Sequence, residues 1–164
     1  MKKSTFKDNL ENKPKINPND FIDFLEKYKN NLNHCDFRTC EINHFSELEL
    51  EYGNLEGSNL SANNFYKANL NRANLKNSVL QYCSFEFMEI CGAILENTNF
   101  KGSRFRHLTF KNITMENVNF KSCDFWNVTF DNCKIISPNL INSNFYDVNF
   151  NNSHLVLGEK TIQL

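Results

Sequence analysis

The sequence predicts an all-β fold, a four-sided solenoid behind a short N-terminal helix. Three observations carry this. From residue 45 onward every fifth residue is apolar, a second column of small or β-branched residues runs two positions ahead of the first, and the large column sorts by residue type when read every twenty residues.

The large column runs Phe45, Leu50, Leu55, Leu60, Phe65, Leu70, Leu75, Leu80, Phe85, Ile90, Leu95, Phe100, Phe105, Phe110, Met115, Phe120, Phe125, Phe130, Ile135, Leu140, Phe145, Phe150, Leu155. All 23 positions are apolar against a background of 40%, a result chance gives on the order of once in a billion. The small column includes Ser58, Ala68, Ala73, Ser78, Cys83, Ala93, Thr98, Ser103, Val118, Cys123, Val128, Cys133, Ser143, Val148 and Ser153. A polar residue, most often Asn, separates the two columns, as at Asn54, Asn74, Asn99 and Asn119. The remaining two positions are mostly polar and variable.

A period of five fits neither a helix nor a flat strand. It fits a chain that turns a corner every five residues and points one large and one small side chain inward from each side, so that a narrow interior fills without voids. Four sides close a square, and one coil takes twenty residues. Read at that interval, Phe45, Phe65, Phe85, Phe105, Phe125 and Phe145 make one side all Phe, while Leu55, Leu75, Leu95, Met115, Ile135 and Leu155 contain none. Stacked, offset rings are a favourable arrangement.

The triplets Ala68-Asn69-Leu70, Ala73-Asn74-Leu75 and Cys123-Asp124-Phe125 resemble the A(D/N)LXX signature of pentapeptide-repeat proteins, over about three quarters of the chain. The resemblance implies that family's right-handed quadrilateral parallel β-helix. Cys35-Asp36-Phe37 and Cys40-Glu41-Ile42 match out of register, which reads as an irregular first coil with a slip at 43–47. The β-helix is then expected over 33–157, about six coils and about 29 Å long at the usual strand spacing.

An open solenoid end needs a cap. Phe21, Phe24, Leu25, Tyr28 and Leu32 fall on one helical face, with Asn17 or Asn19 as N-cap, so residues 18–32 are expected to form a capping helix behind a flexible tail at 1–17. Segment 158–164 is too short for a helical cap. It can fold over the last coil or, with Ile136, Ile141, Val156, Leu157 and Ile162, form a dimer contact, so monomer and C-terminal homodimer both stand.

Composition narrows the function. Lys and Arg number 18 and Asp and Glu 19, which gives no pull toward nucleic acid or an anionic membrane. No apolar run could span a bilayer and no secretory leader precedes the repeats, so the expected location is cytoplasmic. Cys35, Cys40, Cys83, Cys123 and Cys133 occupy the small column and read as reduced core residues, with only Cys91 outward. His34, His44, His107 and His154 stand at no metal-ligand spacing. A filled rod without a cleft or an acid–base pair reads as a non-enzyme with no cofactor and no metal, an interaction module for a protein partner of unknown identity.

Two surfaces are candidates. Tyr66, Phe87, Arg104, Arg106, His107, Trp126 and Tyr146 all fall on the Phe side, and Trp, Tyr and Arg dominate binding hot spots. Glu47, Glu49, Glu51 and Glu56 are an acidic group in the first regular coil. The resemblance implies one alternative, a DNA mimic that binds DNA gyrase or another type II topoisomerase, as the quinolone-resistance members do. Residues 45–157 carry 9 basic and 11 acidic residues, a net of only -2, so mimicry needs that charge gathered into one stripe. A secreted effector is a further alternative.

Overall fold

A computed structural model of the 164-residue chain describes residues 45–163. The expected tail at 1–17, the helix at 18–32 and the coil start at 33–44, with Cys35, Cys40, His34 and His44, lie outside the described residues. Of the expected slip at 43–47, residues 45–47 follow the regular corner, with Phe45 fully buried and Glu47 left-handed at φ 58°.

The corners come from backbone conformation. Two residues after almost every large side chain, from Glu47 to Asn152, the chain is left-handed, with φ between 48° and 72°. Asn, Asp and Gly tolerate that region best. They fill most of these positions from Gly92 onward, and none of the left-handed positions is β-branched. A second device fixes the residue before the corner. The Asn side chains at 54, 59, 64, 69, 74, 99, 119 and 139 accept the backbone N–H two residues on, at 3.0–3.3 Å. These are Asx turns, and the two roles together account for the abundance of Asn.

The coils stack in parallel. Strands β1 (Ser84–Cys91), β2 (Arg104–Lys111), β4 (Asp124–Asp131) and β6 (Asn144–Asn151) form one sheet in the order β1-β2-β4-β6. Strands β3 (Thr114–Glu116), β5 (Lys134–Ile136), β7 (His154–Leu157) and β8 (Lys160–Gln163) form another in the order β3-β5-β7-β8. The register Phe85↔Phe105↔Phe125↔Phe145 fixes the twenty-residue coil. Each long strand bends at its left-handed residue and so contributes to two adjacent walls. Before β1 the coils are joined by single parallel bridges such as Glu49↔Asn69 and Asn54↔Asn74. The fold is therefore an all-β parallel solenoid with the predicted period.

The interior is the two predicted columns. The rings of the first wall stack at 4.9–5.0 Å from Phe45 to Phe145, close to the spacing between strands. A second stack, Phe110–Phe130–Phe150, repeats at 5.0 Å. The small column carries buried hydrogen bonds between coils. Thr98 Oγ1 donates to Leu75 O at 2.9 Å, Ser103 Oγ to Leu80 O at 2.7 Å, and Ser153 Oγ to Phe130 O at 3.0 Å. The thiols of Cys83, Cys123 and Cys133 donate in the same way to Leu60 O, Phe100 O and Phe110 O, at 3.2, 3.0 and 3.4 Å. These cysteines are core residues, as their column implies, and also donors.

The C-terminal end differs from the interior. Strand β8 pairs antiparallel with β7 and extends that sheet by one strand. It covers neither β6 nor the core, and it is exposed throughout. Phe145 is 43% exposed, and Leu140, Phe150 and Leu155 are partly so. With the layer beneath them they line an open apolar recess.

Candidate interaction surface

The first wall, built on the Phe45–Phe145 stack, brings the sequence-predicted residues together. Pairing of β1, β2, β4 and β6 aligns Glu86, Arg106, Trp126 and Tyr146 in one outward column, and Ser84, Arg104, Asp124 and Asn144 in another. The left-handed corner aims Phe87, His107, Asn127 and Asp147 outward beside them.

These side chains form two aromatic groups. Tyr66 meets Phe87 edge-on at 5.7 Å, and Phe87 stacks on His107 at 4.7 Å. Asn127 Nδ2 lies 2.8 Å from His107 Nδ1. Trp126 packs against Tyr146 at 4.5 Å, and Lys67 Nζ lies 5.2 Å over the Tyr66 ring. A shallow recess between the groups is lined by Arg106, His107, Trp126, Asn127 and Asp147. Phe87 is 51% exposed, Trp126 48% and Tyr146 45%. Phe87 combines two unfavourable choices, a large apolar side chain in solvent and a left-handed backbone.

The other candidate residues are placed differently. Glu47 stands at a corner of the first wall, Glu49 and Glu51 on the second, and Glu56 on the third. Each of the last three faces a local partner: Glu49 accepts from Asn69 at 2.7 Å, Glu51 lies 3.5 Å from Arg72, and Glu56 accepts from Asn74 at 3.2 Å. The four thus fall on three successive walls of the first described coil. Ile136 and Val156 pair in register on the third wall, with Leu157 and Ile162 following in the β7–β8 hairpin. Ile141 is on the fourth wall and 60% exposed. Sequence reasoning left open whether the last segment folds over the final coil, and in the structure that segment lies beside β7 instead. Leu140, Phe145, Phe150 and Leu155 were legible only as column members, and their exposure follows from being the last of each.

Charge is mixed on the walls. The first carries Lys67, Arg104 and Arg106 against Glu47, Glu86, Asp124 and Asp147. The second carries Arg72 and Lys111 against Glu49, Glu51, Glu89 and Asp131, and the third Lys76 and Lys134 against Glu56, Glu96 and Glu116. The fourth carries Lys101 and Lys121 with no carboxylate in the described coils. No wall is an acidic stripe. Among the described residues no three His, Cys, Asp or Glu side chains gather as a metal-holding group, and no helix is long and apolar enough to cross a membrane. Burial pushes the Cys83 and Cys123 thiols up to about 12 and raises that of Cys133.

A parallel solenoid of five-residue sides with a filled core defines the class, a repeat protein that presents walls. Two family profiles match, "Pentapeptide repeat region" over residues 89–157 and "Pentapeptide repeats (8 copies)" over 44–81, 58–97 and 68–106. The chain belongs to the pentapeptide-repeat proteins. No curated protein sequence matches it. Among solved structures it is similar to the pentapeptide repeat protein Rfr23 from the cyanobacterium Cyanothece 51142. That match has 16% identity and a TM-score of 0.44, and covers 79% of this chain and 94% of that one. HetL, involved in heterocyst differentiation regulation in the cyanobacterium Nostoc sp. strain PCC 7120, matches at 14% identity and a TM-score of 0.39 over 64% of this chain and 56% of its own. Trypsin-treated QnrB1, a plasmid-mediated fluoroquinolone resistance protein, matches at 18% identity and a TM-score of 0.39 over 73% and 60%.

Proposed function

We propose that this protein is a non-catalytic interaction module, a rigid rod whose first wall binds a protein partner. The observation that carries the reading is the pairing of Trp126 with Tyr146 and of Phe87 with Tyr66 and His107, with Phe87, Trp126 and Tyr146 about half exposed on a wall backed by a filled core. Large aromatics held rigidly from below lose little conformational freedom on binding. The DNA-mimic alternative needs a continuous run of negative charge, and mixed charge on the walls favours the interaction rod instead. The compartment expected for this module is the cytoplasm.

The test is quantitative capture from cell extract with wall variants. Proteins retained by the native chain are expected to be lost with Trp126→Ala or Tyr146→Ala and kept with the Lys101→Ala, Lys121→Ala double variant of the fourth wall. Retention by all variants alike would reject the first wall as the contact.

A second feature favours self-association. The open end exposes Phe145, Phe150, Leu140 and Leu155, and among the described residues β6 has no strand partner on its outer side. A homodimer through this end would cover both.

A further inference from the structure

We propose that the partner segment taken by the first wall is an extended acidic peptide, with two carboxylates two residues apart followed by an aromatic side chain. This rests on the reading of the first wall as the contact. Its basis is the state of the arginines. Of the three among the described residues, Arg72 is satisfied, lying 3.5 Å from Glu51 and bonded to the Tyr52 hydroxyl beneath it. Arg104 and Arg106 make no ion pair and no hydrogen bond among the described residues. The carboxylates beside them in register each accept from a neutral neighbour, Glu86 from Ser84 Oγ at 2.9 Å and Asp124 from Asn144 Nδ2 at 2.8 Å.

Geometry sets the spacing. Arg104 and Arg106 are alternate residues of β2 and point outward about 7 Å apart. An extended peptide presents its own residues i and i+2 at the same interval, so two of its carboxylates meet two guanidiniums, each of which can bind bidentately. The residue at i+4 then reaches the recess beside Arg106, where the Trp126 ring, His107 and Asp147 wait. An aromatic side chain there stacks on Trp126. A nucleic acid fits less well, because two guanidiniums neutralise few phosphates.

The probe is a fluorescein-labelled peptide, Gly-Glu-Ser-Glu-Ser-Phe-Gly, titrated with the full chain while anisotropy is followed. Saturable binding is expected, weakened about tenfold or more by Arg106→Ala or by Lys in place of both Glu, and unchanged by Arg72→Ala. No binding up to millimolar protein, equal binding of the Lys peptide or of a single-stranded oligothymidylate, or indifference to Arg106→Ala would overturn the proposal. The reading beneath it is separable. A captured partner lost with Trp126→Ala but retained by the Arg104→Ala, Arg106→Ala double variant would keep the wall and reject the acidic segment. A partner retained by Trp126→Ala would reject both.

Discussion

Ser103 Oγ sits between two coils, donating to Leu80 O at 2.7 Å and accepting from Cys83 N at 3.0 Å. Ser153 bridges Phe130 O and Cys133 N in the same way. Ser103→Ala leaves both of its partners buried without it and is expected to lower stability by about 1–3 kcal/mol, read from the urea midpoint. The thiols in this column add a pH dependence. Cys83 and Cys123 keep their protons in the folded chain up to about 12, against an ordinary value near 9, because burial disfavours the thiolate. The unfolded chain releases them first. Stability from these groups is therefore constant below about pH 9 and falls between 9 and 12, by about 1.4 kcal/mol per pH unit for each thiol. A Cys83→Ser, Cys123→Ser double variant keeps the donors and loses that slope, which unfolding at pH 8 and pH 10 measures. The sequence displayed the size of these residues but not their donor role. The acceptor carbonyl lies 23 positions back and becomes a neighbour only once the coil closes.

At the scale of a coil, corners take two forms. Tight corners, where the residue after the turn donates back to the large residue's carbonyl, end in Gly53, Ser58, Ala68, Ala73, Ser78, Thr98, Ser103, Cys123 and Ser143. The bulkier Met88, Leu108, Val128 and Val148 fall inside the long strands, and Ile113 and Val118 follow open bends. Long and aliphatic branched side chains are absent from the tight corners, but the small Ala93, Cys133 and Ser153 also follow open bends, so size in this column does not by itself tell turn from strand. The Phe stack was legible for a simpler reason, since type sorts by twenty. Phe125 is fully buried between Phe105 and Phe145 at 4.9 Å on each side. Phe125→Ala is expected to cost about 3–5 kcal/mol. Phe145→Ala, in the same column but 43% exposed, should cost clearly less. Equal losses in thermal unfolding would mean that the open end is covered in solution.

For the whole molecule, the exposed last layer and the edge of β6, unpartnered among the described residues, make the C-terminal end the place where two copies would meet. In sedimentation equilibrium at tens of micromolar, the native chain is expected to be a dimer and Phe145→Asp a monomer. A native chain that stays monomeric would remove the second reading. This end could not be read from the repeat, because a periodic pattern does not say what stacks on its last member. The walls were more legible: twenty-residue spacing places Trp126, Tyr146, Arg106 and Phe87 on one side before any coordinates exist. Their ring contacts and the unpaired arginines were not, since those depend on rotamers and on which neighbours are already engaged. The central claim is that the first wall is the contact face, and its most direct test uses the single Trp of the chain. Emission from Trp126 is measured as a captured partner is added, with the partner's own signal subtracted. A blue shift that saturates with binding is the predicted result. A partner that binds while the emission stays that of a half-exposed indole would contradict the claim.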